Sequence, residues 1–191
     1  MRDIAKEYDL EAVRLFMLSA HYRSPINFSR DQIAAAYASL TRLYTARDNM
    51  KHLLASAKDQ PLTQEEADFL GRVKADEKRF DDAMDDDLNT ADALGAIFEL
   101  VKDANVSLNA GSSKAAVEGA LGSLKALCDV LGILQKEEDA LPEDIQRMVD
   151  ERALARKNKD WKRSDELRDA IKAAGYILED SREGQKVRRS V

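Results

Sequence analysis

Val117-Glu118-Gly119-Ala120-Leu121-Gly122-Ser123-Leu124-Lys125-Ala126-Leu127-Cys128-Asp129-Val130-Leu131 decides the fold class. Its apolar residues Val117, Ala120, Leu121, Leu124, Leu127, Cys128 and Leu131 recur at three- and four-residue steps, so they share one face of a helix. Three more stripes with this spacing lie upstream. They are Ile33, Ala36, Tyr37, Leu40, Leu43 and Tyr44; then Phe69, Val73, Phe80 and Met84; then Leu94, Ile97, Phe98 and Val101. Asn109-Ala110-Gly111-Ser112-Ser113 reads as a turn, with Ser112 or Ser113 as the N-cap of the last helix. Pro25 and Pro61 fall at breaks between patterns, and 8 Gly and 3 Pro in 191 residues favour long helices over many short strands. Four stripes joined by short loops predict an antiparallel helical bundle, preceded by a shorter helix near Asp9 to Ala20.

The pattern changes after Pro142. A helix is expected from about Glu143 to Asn158 and another from Trp161 to Ala174, with Asp160 as N-cap and Gly175 as the stop signal. Tyr176-Ile177-Leu178 and Lys186-Val187-Arg188 flank Ser181-Arg182-Glu183-Gly184 and read as two short strands around a turn. The fold class is therefore mainly α: an antiparallel helical bundle over residues 1–136, then a small α/β module over 137–191 with two helices and a short two-stranded hairpin. Charge divides along similar lines. Residues 147–191 carry 13 Lys+Arg against 9 Asp+Glu, while the preceding 146 carry 17 against 27. A basic end on an acidic body points to contact with a polyanion through that end alone.

Several classes of chemistry have no support in the sequence. No apolar run approaches the roughly 18 residues of a membrane span, and no signal peptide is apparent, so the chain reads as cytoplasmic and soluble. A single cysteine, Cys128, excludes an intramolecular disulfide framework, and its place in an apolar stripe marks it as a small core residue. With only His21 and His52 beside it, a Cys/His zinc site is not available. There is no glycine-rich phosphate loop, no G-x-S-x-G and no H-E-x-x-H.

Three clusters remain as candidates. On a helical wheel Trp161 shares a face with Asp165 and Arg168, opposite Leu167, Ala170, Ile171 and Ala174. A tryptophan beside an acid and a base can stack a nucleobase and hydrogen-bond its edge. Arg156, Lys157 and Lys159 just before it, and Arg188 and Arg189 near the end, are candidates for phosphate contacts. The competing reading packs Trp161 against the preceding helix, with the charges in ordinary i,i+4 pairs; spacing alone leaves both open. Asp85-Asp86-Asp87-Leu88-Asn89-Thr90 offers carboxylates to a divalent ion. Capping of the next helix by Asn89 or Thr90 is preferred, because adjacent residues do not converge on an ion without a dedicated loop. In Ser19-Ala20-His21-Tyr22-Arg23-Ser24-Pro25, His21 lacks a nearby nucleophile with an orienting acid, so a helix–loop junction is expected there. His52 carries no functional reading.

Taken together, these blocks resemble the C-terminal half of a bacterial cysteinyl-tRNA synthetase. The resemblance is carried by Tyr8-Asp9-Leu10-Glu11-Ala12-Val13-Arg14 leading into Ser19 through Ser29, by Phe80 through Thr90, and by Ala155-Arg156-Lys157-Asn158-Lys159-Asp160-Trp161 through Gly175-Tyr176-Ile177-Leu178-Glu179-Asp180. It implies a stem-side tRNA-binding bundle of the DALR type followed by an anticodon-recognition module. It implies tRNA(Cys) as partner, with anticodon GCA, and no membrane or DNA partner. The residues matching anticodon contacts are Arg156, Trp161, Asp165, Arg168 and Asp180. Val187 departs from the family pattern, which often has an aromatic there. The family's catalytic domain, with its His-Ile-Gly-His and Lys-Met-Ser-Lys-Ser motifs, its zinc and its ATP with magnesium, has no counterpart in these residues. Met1 reads as an added start, the chain alone is expected not to aminoacylate, and it is expected to hold no cofactor. Two rival readings are a mycothiol-pathway cysteine ligase, which lacks the anticodon-reading end, and a helical protein-interaction module that does not bind RNA.

Overall fold

The computed structural model describes residues 7–136, 142–181 and 184–189. Met1, residues 137–141, and Arg182 and Glu183 at the centre of the expected Ser181–Gly184 turn lie outside the described residues. The chain divides into two compact units, 1–135 and 136–191.

The first unit contains five helices among its described residues: α1 Leu10–Leu18, α2 Arg30–Ser56, α3 Gln64–Asp85, α4 Thr90–Ser107 and α5 Lys114–Leu131. Each start is set by a polar cap that takes an orphan backbone N–H. Asp9 accepts from Glu11, Ser29 from Gln32, Thr63 from Glu66, Asn89 from Asp92 and Ser113 from Ala116. Of the two serines proposed for the last cap, Ser113 therefore serves. α5 ends where Gly132 turns left-handed at φ 63°, and the N–H of Ile133 returns to the Cys128 carbonyl.

The four predicted stripes meet in one core, with Phe69, Phe80, Leu43, Ile97, Leu100 and Leu124 among its fully buried members. Tyr37, Tyr44, Met84 and Phe98 lie only partly inside it. The two tyrosines sit at its border, and Tyr44 turns its hydroxyl to the Glu11 carboxylate at 2.7 Å. α1 packs on α2, α3 on α4, and α5 on α2, α3 and α4. No helix of the described residues is long and apolar enough to cross a membrane.

The second unit is α6 Glu143–Lys157, α7 Trp161–Ala173 and an antiparallel hairpin of β1 Tyr176–Ser181 with β2 Gly184–Arg189. Both strands run longer than the three residues expected of each. Pairing extends to Ser181 opposite Gly184, the first and last residues of the predicted turn. Gly175, at φ 85°, makes the left-handed stop that the sequence places there. A small core of Ile145, Val149, Ile171 and Leu178 joins both helices to the hairpin, with Met148, Tyr176 and Val187 half-buried around it. Val187 sits opposite Leu178 in register. The buried stripe of α7 is Ser164, Leu167 and Ile171; Ala170 and Ala174, expected inside, are exposed. The stripe thus begins one turn earlier than the apolar residues suggest, because a small serine is accepted at a closely packed position.

Candidate nucleic-acid interface

The basic end is organised by the connection between α6 and α7. Arg156 and Lys157 occupy the last turn of α6, where cations complement the helix C-terminus. Lys159 takes a left-handed conformation at φ 60°, and the Asp160 N–H returns to the Ala155 carbonyl at 2.9 Å. The Asp160 carboxylate then accepts from the Arg163 N–H at 3.1 Å and opens α7. This tight reversal makes Trp161 the first helical residue, where α7 has no preceding turn to cover it.

Trp161 is 59 % exposed, so the reading in which it packs against the preceding helix does not hold. Asp165 and Arg168, one and two turns further along α7, are also exposed. Among the described residues neither side chain makes a hydrogen bond or ion pair, and the same is true of Lys157 and Lys159. The ordinary helix pair belongs instead to Arg163, which meets Glu151 of α6 at 3.0 Å and Glu166 at 3.5 Å. These carboxylates hold its guanidinium more firmly protonated, Glu151 most strongly. A surface pair of this kind ties the two helices while leaving the Trp161 face open.

The hairpin separates the remaining candidates. Asp180 lies opposite Gln185, towards the closed end, whereas Arg188 and Arg189 lie opposite Ile177 and Tyr176. At about 3.3 Å per strand residue, the backbone positions of Arg188 and Arg189 lie roughly 10 and 13 Å along the hairpin from that of Asp180. One residue that the sequence reading missed is Arg152. It is buried on α6 and donates through Nη1 to the Gln185 carboxamide oxygen at 2.7 Å. Its position in the Ile145, Val149, Ala155 stripe was the available signal.

In the first unit the structure joins two motifs that the sequence reading kept apart. The Asp87 carboxylate accepts from the Tyr22 hydroxyl at 2.8 Å and from Arg23 Nη2, and His21 Nε2 lies 3.8 Å away. The Asp87 hydrogen bond chiefly, with some desolvation, raises the Tyr22 phenol above its ordinary value. Asn89 caps α4, as the capping reading requires. No group of three or more His, Cys, Asp or Glu side chains with the arrangement of a metal site occurs among the described residues.

Residues 79–135 match the family described as the DALR domain, and residues 138–188 match the cysteinyl-tRNA ligase anticodon binding domain. By these two domains the chain belongs to the cysteine–tRNA ligase family. The Cysteine–tRNA ligase of Lachnospira eligens is 46% identical over 191 residues, spanning all of this chain and 40% of that relative. The Cysteine–tRNA ligase of Lysinibacillus sphaericus is 43% identical, over 99% of this chain and 41% of its own length. The chain thus spans about two-fifths of the length of the relatives it matches. The anticodon-binding match covers α6, α7 and most of the hairpin, so the exposed Trp161 surface belongs to the domain whose family is described by RNA contact.

Proposed function

We propose that this chain is the tRNA-binding part of a cysteine–tRNA ligase and that its second unit reads the GCA anticodon of tRNA(Cys). The observation that carries the reading is Trp161, exposed at the start of α7 beside Asp165 and Arg168, whose polar atoms are unengaged among the described residues. In this reading Trp161 offers a stacking platform, and Asp165, Arg168, Arg156 and Asp180 supply acceptors and donors for base edges. Lys157, Lys159, Arg188 and Arg189 contact phosphates and make binding salt-dependent. The helical bundle is a rigid spacer, since reading an anticodon aids catalysis only if its position is fixed relative to the distant acceptor end. Cysteinylation is then the work of parts of the full-length ligase not represented in this chain, which alone does not aminoacylate. Its recognition energy serves a reaction carried out elsewhere.

Trp161, the only tryptophan, reports directly on the surface in question. Its fluorescence, titrated with a GCA anticodon stem-loop and a scrambled-loop control, is expected to quench with GCA at lower concentration. Salt should weaken both responses. Base–aromatic stacking contributes roughly 1–3 kcal/mol, so Trp161→Ala, followed by a label on the RNA, is expected to weaken GCA binding about 5- to 150-fold. Arg168→Ala should narrow the difference between the two loops. Equal binding of both loops by the unaltered chain, or no effect of either substitution, would refute anticodon reading at this surface.

A further inference from the structure

We infer that Arg152 is a positioning residue for the reading surface: its buried guanidinium holds Gln185, the cross-strand partner of Asp180, and so fixes the hairpin against α6 one turn before Arg156. The inference rests on the anticodon reading proposed above and names a residue outside the set that touches RNA in that reading. Three observations converge on it. Arg152 is 3% exposed and stands in the inward stripe of α6 with Ile145, Val149 and Ala155. Its Nη1 donates to Gln185 Oε1 at 2.7 Å, across 33 residues of sequence. Gln185 pairs with Asp180 in the register of the hairpin.

The chemistry of the position argues for more than packing. A buried guanidinium carries a desolvation penalty that an apolar side chain of similar volume avoids, so a charge is a poor choice for stability alone. Its use is directional: a planar fork of donors specifies where an acceptor must lie, whereas methyl groups specify only distance. The core of this unit is small, and Leu178 and Val187 hold the hairpin through non-directional contacts. Those contacts resist separation but resist sliding less well. The Arg152–Gln185 hydrogen bond supplies the missing restraint, two register positions from the Leu178–Val187 pair. Arg156 follows on the same helix at i+4, about 6 Å along its axis. One buried side chain thereby sets two candidate reading positions, Arg156 and Asp180, in a common frame.

The test uses the full 191-residue chain, with the GCA stem-loop and three stem-loops each altered at one anticodon base. Arg152→Met keeps bulk in the core and removes the directional donor. It is expected to retain cooperative unfolding, Trp161 quenching and the salt slope, because Arg152 does not meet phosphate. It should lose about tenfold in discrimination at one anticodon position, a loss typical of coupled neighbouring groups. In the Arg152→Met background, Asp180→Asn should then cost little more, since both changes disable the same reading position. Arg152→Lys, which retains one donor, should recover part of the discrimination. If Arg152→Met unfolds the module, Gln185→Leu removes the same hydrogen bond from the other side and carries the same expectation. Equal weakening on all four loops, a reduced salt slope, or additive losses with Asp180→Asn would overturn the positioning role while leaving anticodon reading intact. Failure of the unaltered chain to distinguish GCA from the altered loops would instead overturn the anticodon reading, and this inference with it.

Discussion

Glu66→Gln removes one charge and one acceptor from the junction between α3 and α5, and the structure sets the size of the effect. The Glu66 carboxylate is buried, and each of its oxygens is used. Oε2 accepts from the Thr63 N–H at 2.9 Å, closing a capping box at the start of α3, while Oε1 accepts from the Ser113 N–H at 2.7 Å. A carboxamide has a single acceptor oxygen, so one of these N–H groups must face the Gln NH2, donor against donor. If that group is Ser113, which is fully buried, water cannot substitute for the lost partner. Leaving such a donor unsatisfied costs about 1–3 kcal/mol. With a urea slope of roughly 1–3 kcal/mol per molar for a domain of this size, the unfolding midpoint should fall by about 1 M.

Acidification provides a second check on the same contact. The backbone N–H of Thr63 first, then that of Ser113, holds the Glu66 carboxyl below its ordinary value of 4.5. The folded state therefore favours the charged form. That contribution is complete above the unfolded value and is lost as pH falls through the lower folded one. The gap between wild type and Glu66→Gln should be widest near neutrality and close progressively below about pH 4.5. Urea titrations of both proteins across this range are the assay. Equal midpoints at neutral pH, or a gap that acid does not narrow, would refute the argument.

Cys128 is buried in α5, and burial chiefly, with Asp129 and Glu11 adding to it, pushes its thiol up to about 12. It should resist alkylation at neutral pH in the folded chain and react readily in denaturant, followed by mass spectrometry; rapid modification of the native protein would contradict its placement. Leu88 is left-handed at φ 55° and exposed, so its side chain strains the backbone while burying little. Leu88→Gly should be neutral or stabilising by up to about 1 kcal/mol in thermal unfolding. A clear loss would show that its side chain packs. Asp87→Gly, at a similar φ of 57°, should destabilise instead, because its carboxylate anchors Tyr22 and Arg23.

The helices, their caps and their buried faces were largely readable in the chain because they depend on neighbours three or four residues away. Ser113, Asn89 and Asp160 each act within three residues of their own position. The wheel position of Trp161 is likewise local, as is the left-handed stop at Gly175. Local pattern could not say whether Trp161 was covered, since that depends on where the preceding helix lies after the reversal at Lys159. The inward stripe of α6 could have marked Arg152 as buried, but not its partner, since Gln185 arrives 33 residues later when the hairpin folds back. The joining of His21-Tyr22-Arg23 to Asp87 spans 64 to 66 residues in the same way. Periodicity is a property of one element and is written in its own residues. Exposure and directional contacts between elements arise only when two surfaces meet, so the tertiary structure alone decided them.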